Sequence, residues 1–169
     1  CGLLENCTNK GAVKDISNSY GGAIGGIAGC IKTRTTTLTN CDNSGKVSAL
    51  FSNEEKIGNK NSSGNAINET INLGGIAGTC NQSLTMTGCD NTGSVELSEG
   101  GIGEIIYLGG VLGYCSNTVT LTNCHNKNTV TNATKSSVTL YMGGLVGSGA
   151  SGKLITLDGC SNTHAITNN

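Results

Sequence analysis

The sequence predicts an all-β fold: a β-solenoid, or β-helix, of about five stacked rungs with roughly three short strands in each. Three observations predict it. The phrase Cys-x-Asn returns five times, as Cys7-Thr8-Asn9, Cys41-Asp42-Asn43, Cys89-Asp90-Asn91, Cys124-His125-Asn126 and Cys160-Ser161-Asn162, with successive cysteines 34, 48, 35 and 36 residues apart. A glycine phrase keeps step with it: Gly25-Gly26-Ile27-Ala28-Gly29, Gly74-Gly75-Ile76-Ala77-Gly78, Gly109-Gly110-Val111-Leu112-Gly113 and Gly143-Gly144-Leu145-Val146-Gly147. Between them lie short runs of Thr and β-branched residues, which suit a half-buried pleated surface. A helical repeat of similar period is rejected, because Gly, Thr and Asn form helices poorly and no apolar stripe of helical period is present.

Each element follows in order along a single repeat domain, 1–169. Residues 1–13 form a half repeat, with Leu3, Leu4 and Cys7, the turn Asn9-Lys10-Gly11, then Ala12-Val13. The first full unit spans 20–47 and carries the threonine strand Thr35–Asn40. Residues 50–70 are a polar insertion rich in Asn, Ser, Gly and Glu, and they account for the 48-residue spacing. Such an excursion from a solenoid wall is where binding surfaces tend to sit. The remaining units span 71–95, 104–130 and 137–166, and a further strand precedes the glycine phrase in Glu104–Leu108 and Ser137–Met142. Rungs in register lie about 4.8 Å apart, so five rise about 24 Å.

Composition narrows the function classes. Of 169 residues, 27 are Gly, none is Pro or Trp, and 3% are aromatic. The glycines follow no three-residue period, which excludes collagen. Charged residues make up 12% and the net charge is −1. That balance does not supply the basic footprint of a nucleic-acid binder. Apolar residues in register argue against disorder. The longest apolar runs, such as Ile105–Leu108, are far too short for insertion into a bilayer. No targeting sequence opens the chain, which starts in the middle of a repeat; this predicts a processed or excised piece of something longer.

The glycine phrase, the Leu-x-Asn-Cys strand and the closing Asn-x-Gly-x-Val resemble GLUG-motif repeats, best of all in Gly144-Leu145-Val146-Gly147. Such repeats occur in large bacterial surface and secreted proteins, including some immunoglobulin-cleaving metallopeptidases whose peptidase activity belongs to a separate domain. The resemblance covers nearly the whole chain outside 50–70, and it implies a cell-surface or extracellular β-solenoid. Asn128 and His164 stand where the pattern has a turn glycine, so those two corners are expected to differ in shape.

The nine cysteines allow two readings. Cys30, Cys80 and Cys115 follow the glycine phrase, and Cys1 takes the same place ahead of Cys7. Bridges within each unit would pair Cys1–Cys7, Cys30–Cys41, Cys80–Cys89 and Cys115–Cys124. Alternatively both sets are free thiols stacked as buried ladders. The last unit keeps Cys160 without an upstream partner, which weighs against a purely bridging role. A metal site is disfavoured, with no Cys-x-x-Cys and two histidines.

The asparagines Asn9, Asn43, Asn91, Asn126 and Asn162 are read as a structural ladder, each amide bonding the next rung and stabilising a left-handed turn. A sugar-binding row of amides is the less favoured reading. Asp42, Asp90 and His125 share one position in successive units, but Thr8 and Ser161 fill it equally, which points to a tolerant surface site rather than acid–base or calcium chemistry. The threonine rows (Thr37 and Thr39, Thr85 and Thr87, Thr120 and Thr122, then Thr156) read as an ordinary exposed strand. Sequons at Asn6, Asn61, Asn68, Asn81 and Asn132 arise at about the chance rate; in a eukaryotic source Asn61 and Asn68 would be modified first. One arginine, thinly spread acids and two histidines give neither a polysaccharide-cleaving centre nor a Ser-His-Asp set.

The sequence therefore predicts a non-catalytic extracellular or cell-surface structural module without cofactors: a stalk, adhesin segment or filament subunit whose partners are flanking repeats or other copies end to end. The alternative is a carbohydrate-binding or polysaccharide-processing face beside 50–70.

Overall fold

A turn of this chain is written by alternation: inward apolar residues and outward Thr or polar ones, broken at Gly and Asn corners. The computed structural model describes residues 2–15, 22–32, 34–50, 70–98, 105–134 and 139–169. Cys1, with its pairing to Cys7, lies outside the described residues, as do 51–69 with Asn61 and Asn68.

The described residues form strands and no helix. They wind as a β-solenoid of four complete turns preceded by a three-strand partial turn. Each complete turn visits five parallel sheets. The lead sheet stacks Gly22–Gly25, Thr70–Gly74, Ile105–Gly109 and Thr139–Gly143. The exit sheet, on the far side of the glycine phrase, stacks Ala28–Ile31, Ala77–Cys80, Leu112–Cys115 and Val146–Gly149. Then come the threonine sheet (Gly2–Glu5, Thr36–Thr39, Leu84–Thr87, Val119–Thr122, Ile155–Asp158) and the asparagine sheet (Thr8–Asn9, Asp42–Asn43, Asp90–Asn91, His125–Asn126, Ser161–Asn162). The closing sheet (Val13–Asp15, Val47–Leu50, Val95–Ser98, Val130–Asn132, Ile166–Asn168) completes the turn.

Five strands per turn replace the roughly three expected. The reason is that two corners are themselves hydrogen-bonded from turn to turn. The glycine phrase has a separate strand on each side, and the Cys-x-Asn corner is a two-residue strand of its own.

Equivalent residues stack in columns. Leu4, Leu38, Met86, Leu121 and Leu157 align, as do Val13, Val47, Val95, Val130 and Ile166. The interior divides into two apolar clusters. One fills the space between the exit and threonine sheets around Leu38, Met86, Leu112 and Leu121; the other fills the space between the lead and closing sheets around Leu73, Val95, Leu97 and Leu108. Gly26, Gly75, Gly110 and Gly144 separate them. A Cβ at any of these would overlap the side-chain amide of Asn43, Asn91, Asn126 or Asn162 respectively, so the glycine phrase folds inward until it meets the asparagine sheet. Only a residue without a side chain allows that approach.

Candidate functional site

The asparagine ladder is continuous. Asn9 Nδ2 donates to Asn43 Oδ1 at 2.8 Å, Asn43 to Asn91 at 2.8 Å, Asn91 to Asn126 at 2.9 Å and Asn126 to Asn162 at 2.7 Å. The second Nδ2 hydrogen of each goes to the carbonyl two residues on, in Gly11, Gly45, Gly93, Asn128 and His164. Asn128 and His164 therefore keep this hydrogen bond, because the acceptor is a backbone oxygen that every residue has, although a Cβ at Gly45 or Gly93 would overlap the carbonyl of the turn below. The left-handed residues also sit elsewhere than expected. Five of the six described precede a repeat cysteine, with φ of 53° at Asn6, 51° at Asn40, 61° at Gly88, 49° at Asn123 and 60° at Gly159; the sixth, Gly152 at 73°, lies in the turn before the last threonine strand. Gly and Asn are the residues that tolerate this region. Asn43, Asn91 and Asn126 are fully buried, so the ladder is interior architecture and presents no amide row to a ligand.

All eight described cysteines are free thiols. The bridges Cys30–Cys41, Cys80–Cys89 and Cys115–Cys124 are not formed. Instead the thiols of the Cys-x-Asn phrase run as a column, with Cys41 N donating to Cys89 Sγ and Cys124 N to Cys160 Sγ, both at 3.4 Å. Cys80 and Cys115 align in the exit sheet. Burial pushes the Cys41 and Cys80 thiols up. Burial and the neighbouring Cys80 raise Cys115 to about 11, and the hydrogen bond with Cys124, together with burial, raises Cys89. Cys124 is shifted the other way, lowered by its hydrogen bond with Cys89 against the effect of burial; the four raised thiols, buried and protonated, are poor nucleophiles and poor metal ligands.

The Asp42, Asp90 and His125 position is occupied locally. Asp90 N donates to Asp42 Oδ1 at 3.0 Å, Lys127 Nζ pairs with Asp90 at 2.5 Å, and His125 Nδ1 lies 2.8 Å from Ser161 Oγ. Among the described residues no group of three or more His, Cys, Asp or Glu is placed to hold a metal ion. The threonine rows are outward and half-buried in the middle turns, interrupted by Leu3 and Glu5 in the first turn and Asp158 in the last.

The concave feature of this surface lies behind the inward-folded glycine phrase. There the outer faces of the lead and exit sheets confront each other across a notch of about 530 Å³. Two facing columns line it, Ala23, Asn72 and Tyr107 on the lead sheet and Cys30, Thr79 and Tyr114 on the exit sheet, and the columns continue beyond it in the last turn as Tyr141 and Ser148. Tyr107 stacks on Tyr114 across the notch, with ring centroids 4.5 Å apart, and on Tyr141 in the next turn at 5.2 Å. Burial first, then the two neighbouring phenols, raise the Tyr107 hydroxyl above its ordinary pKa, so it stays protonated. Asn72 is 7% exposed; its Nδ2 donates to Gly22 O at 3.4 Å, and its Oδ1 is buried without a hydrogen-bond partner.

Sequence reasoning pointed to the face beside 50–70, and Thr70 and Asn72 of the notch lie at that edge. It did not single out Tyr107, Tyr114, Tyr141 or Asn72. The signal was present: these residues occupy outward positions on either side of the glycine phrase, one repeat apart. No family model matches this chain, and neither a curated protein nor a solved structure matches it.

Proposed function

We propose that this chain is a non-catalytic structural repeat module, related to GLUG-type repeats, that works at the cell surface or outside the cell as a stalk, adhesin segment or filament subunit. One observation carries the reading. The core columns run unbroken through the molecule and end uncovered: Leu157 and Ile166 are 49% and 44% exposed, whereas Leu121 and Val130 one turn below are fully buried. Apolar column ends and open strand edges are what a further turn of the same kind would cover. A module of this build transmits position along its axis and needs no reactive group.

Sedimentation velocity over a concentration series tests the reading. The chain is expected to self-associate end-on, and Leu157→Glu with Ile166→Lys should return it to monomer with its circular dichroism spectrum unchanged. A single monomeric species at every concentration would remove stacking between copies.

A further inference from the structure

We propose that the notch between the lead and exit sheets is a binding site for a neutral saccharide. The inference does not depend on the module's ends, and its experiment reads a different property. The site is built by side-chain size. Going down the two columns, Tyr107 and Tyr114 give way to Asn72 and Thr79, then to Ala23 and Cys30. Bulk lost from one turn to the next leaves the opening, and its volume lies inside the ~300–1,000 Å³ range of small-molecule sites.

Three features select the ligand. The first is the aromatic wall. Tyr107 is stacked against Tyr114 across the notch and against Tyr141 one turn on, which leaves Tyr114 as the ring free to face a ligand. Rigid amphipathic rings of this kind offer apolar area at small entropic cost while keeping a hydroxyl for hydrogen bonding. The C–H face of a sugar ring complements such a surface.

The second feature is Asn72. Nδ2 donates to Gly22 O, which orients the amide and leaves Oδ1 as an unsatisfied acceptor, closed to solvent, on a residue of the notch lining. A buried acceptor without a donor is costly to maintain, and a turn of the side chain toward the notch would let a ligand hydroxyl satisfy it. A carboxylate or a phosphodiester brings no donor to it.

The third feature is charge. Among the described residues Lys32 is the charged one of the lining, and Thr79 and Asn81 supply neutral polar groups around it. A polyanion would require a basic cluster. A peptide is disfavoured on different grounds. In the middle turns the flanking strands are paired on both sides and offer no edge for strand addition; the lining's edge strands, Gly22–Gly25 and Ala28–Ile31, lie at the foot of the notch, two turns from the Tyr107–Tyr114 wall.

The test is calorimetric titration of the whole chain with neutral gluco-, xylo- and chito-oligosaccharides, followed also by tyrosine fluorescence. Saturable binding is expected for at least one of them, weakened about tenfold or more in both Asn72→Ala and Tyr114→Ala. Asn72→Ala deletes the unsatisfied Oδ1 but also the Nδ2 donor to Gly22 O, so circular dichroism and Tm are recorded beside each titration, and loss of binding counts only in a variant that keeps the fold. No binding at millimolar sugar, binding unchanged in both variants, or binding confined to anionic polysaccharides and abolished by Lys32→Ala would each overturn the proposal.

Discussion

Asn91 accepts from Asn43, donates to Asn126 Oδ1 and to Gly93 O, and does so fully buried. Asn91→Ala would leave Asn43 Nδ2 short of one acceptor and Asn126 Oδ1 without its donor, at a cost of about 3 kcal/mol. Asn162, exposed in the last turn, should cost less than about 1 kcal/mol when truncated, since water replaces what is lost. Guanidinium unfolding of the two variants measures the difference, and equal losses would contradict a ladder whose worth depends on burial. Glu96 behaves differently. Its hydrogen bond from Lys46, opposed by partial burial and assisted by Ser98, pulls its pKa below the ordinary carboxylate value. A carboxyl depressed on folding adds stability above its unfolded pKa and loses it as pH falls through the folded value. The Tm advantage of the protein over Glu96→Gln is therefore expected near neutral pH and should vanish in acid. It stays small, below about 1 kcal/mol, because both partners are substantially exposed. A gap that widened on acidification would reverse the sign.

The exit strands show how one residue of register decides a side chain's fate. In the middle turns a residue stands between the phrase's last glycine and the cysteine, as Thr79 before Cys80 and Tyr114 before Cys115. In the first full turn Cys30 follows Gly29 directly and pairs with Thr79, while Ile31 pairs with Cys80. Cys30 therefore faces outward and is exposed, and Ile31 fills the buried column. With a thiol reagent in native buffer, Cys30 should label first, while Cys41, Cys80, Cys89, Cys115 and Cys124 label only on unfolding; peptide mapping reads the order. Early modification of Cys89 or Cys124 would mean that the column opens. Sequence carried this much of the fold clearly: the period, the parallel stacking, the asparagine ladder and the thiol column as one of two readings. It carried the strand count poorly, because corners such as Asp42–Asn43 have loop-like composition yet pair with their equivalents. It missed the notch for another reason. Tyr107 and Tyr114 are brought face to face by the inward fold of Gly109-Gly110, and periodicity alone assigns such residues merely to the outside.

At the scale of the molecule, every sheet joins residues at least one repeat apart, from 34 residues between Asn9 and Asn43 to 49 between Ala28 and Ala77. Non-local parallel pairing must close long loops before it is rewarded, so refolding from denaturant should take on the order of a second or longer, within or beyond the slow range of all-β domains. Stopped-flow mixing checks this; submillisecond recovery would imply a turn stable by itself. The amide ladder also gives the solenoid a direction. Every inter-turn bond runs the same way, nitrogen below and oxygen above, from Asn9 to Asn162. Aligned amides polarise one another along the axis. One end of the column thus finishes in N–H and the other in a carbonyl oxygen, like the poles of a magnet. Two identical ends repel the match, donor against donor, while opposite ends complete it. Any assembly that prolonged this column would be an arrow, with every subunit pointing the same way.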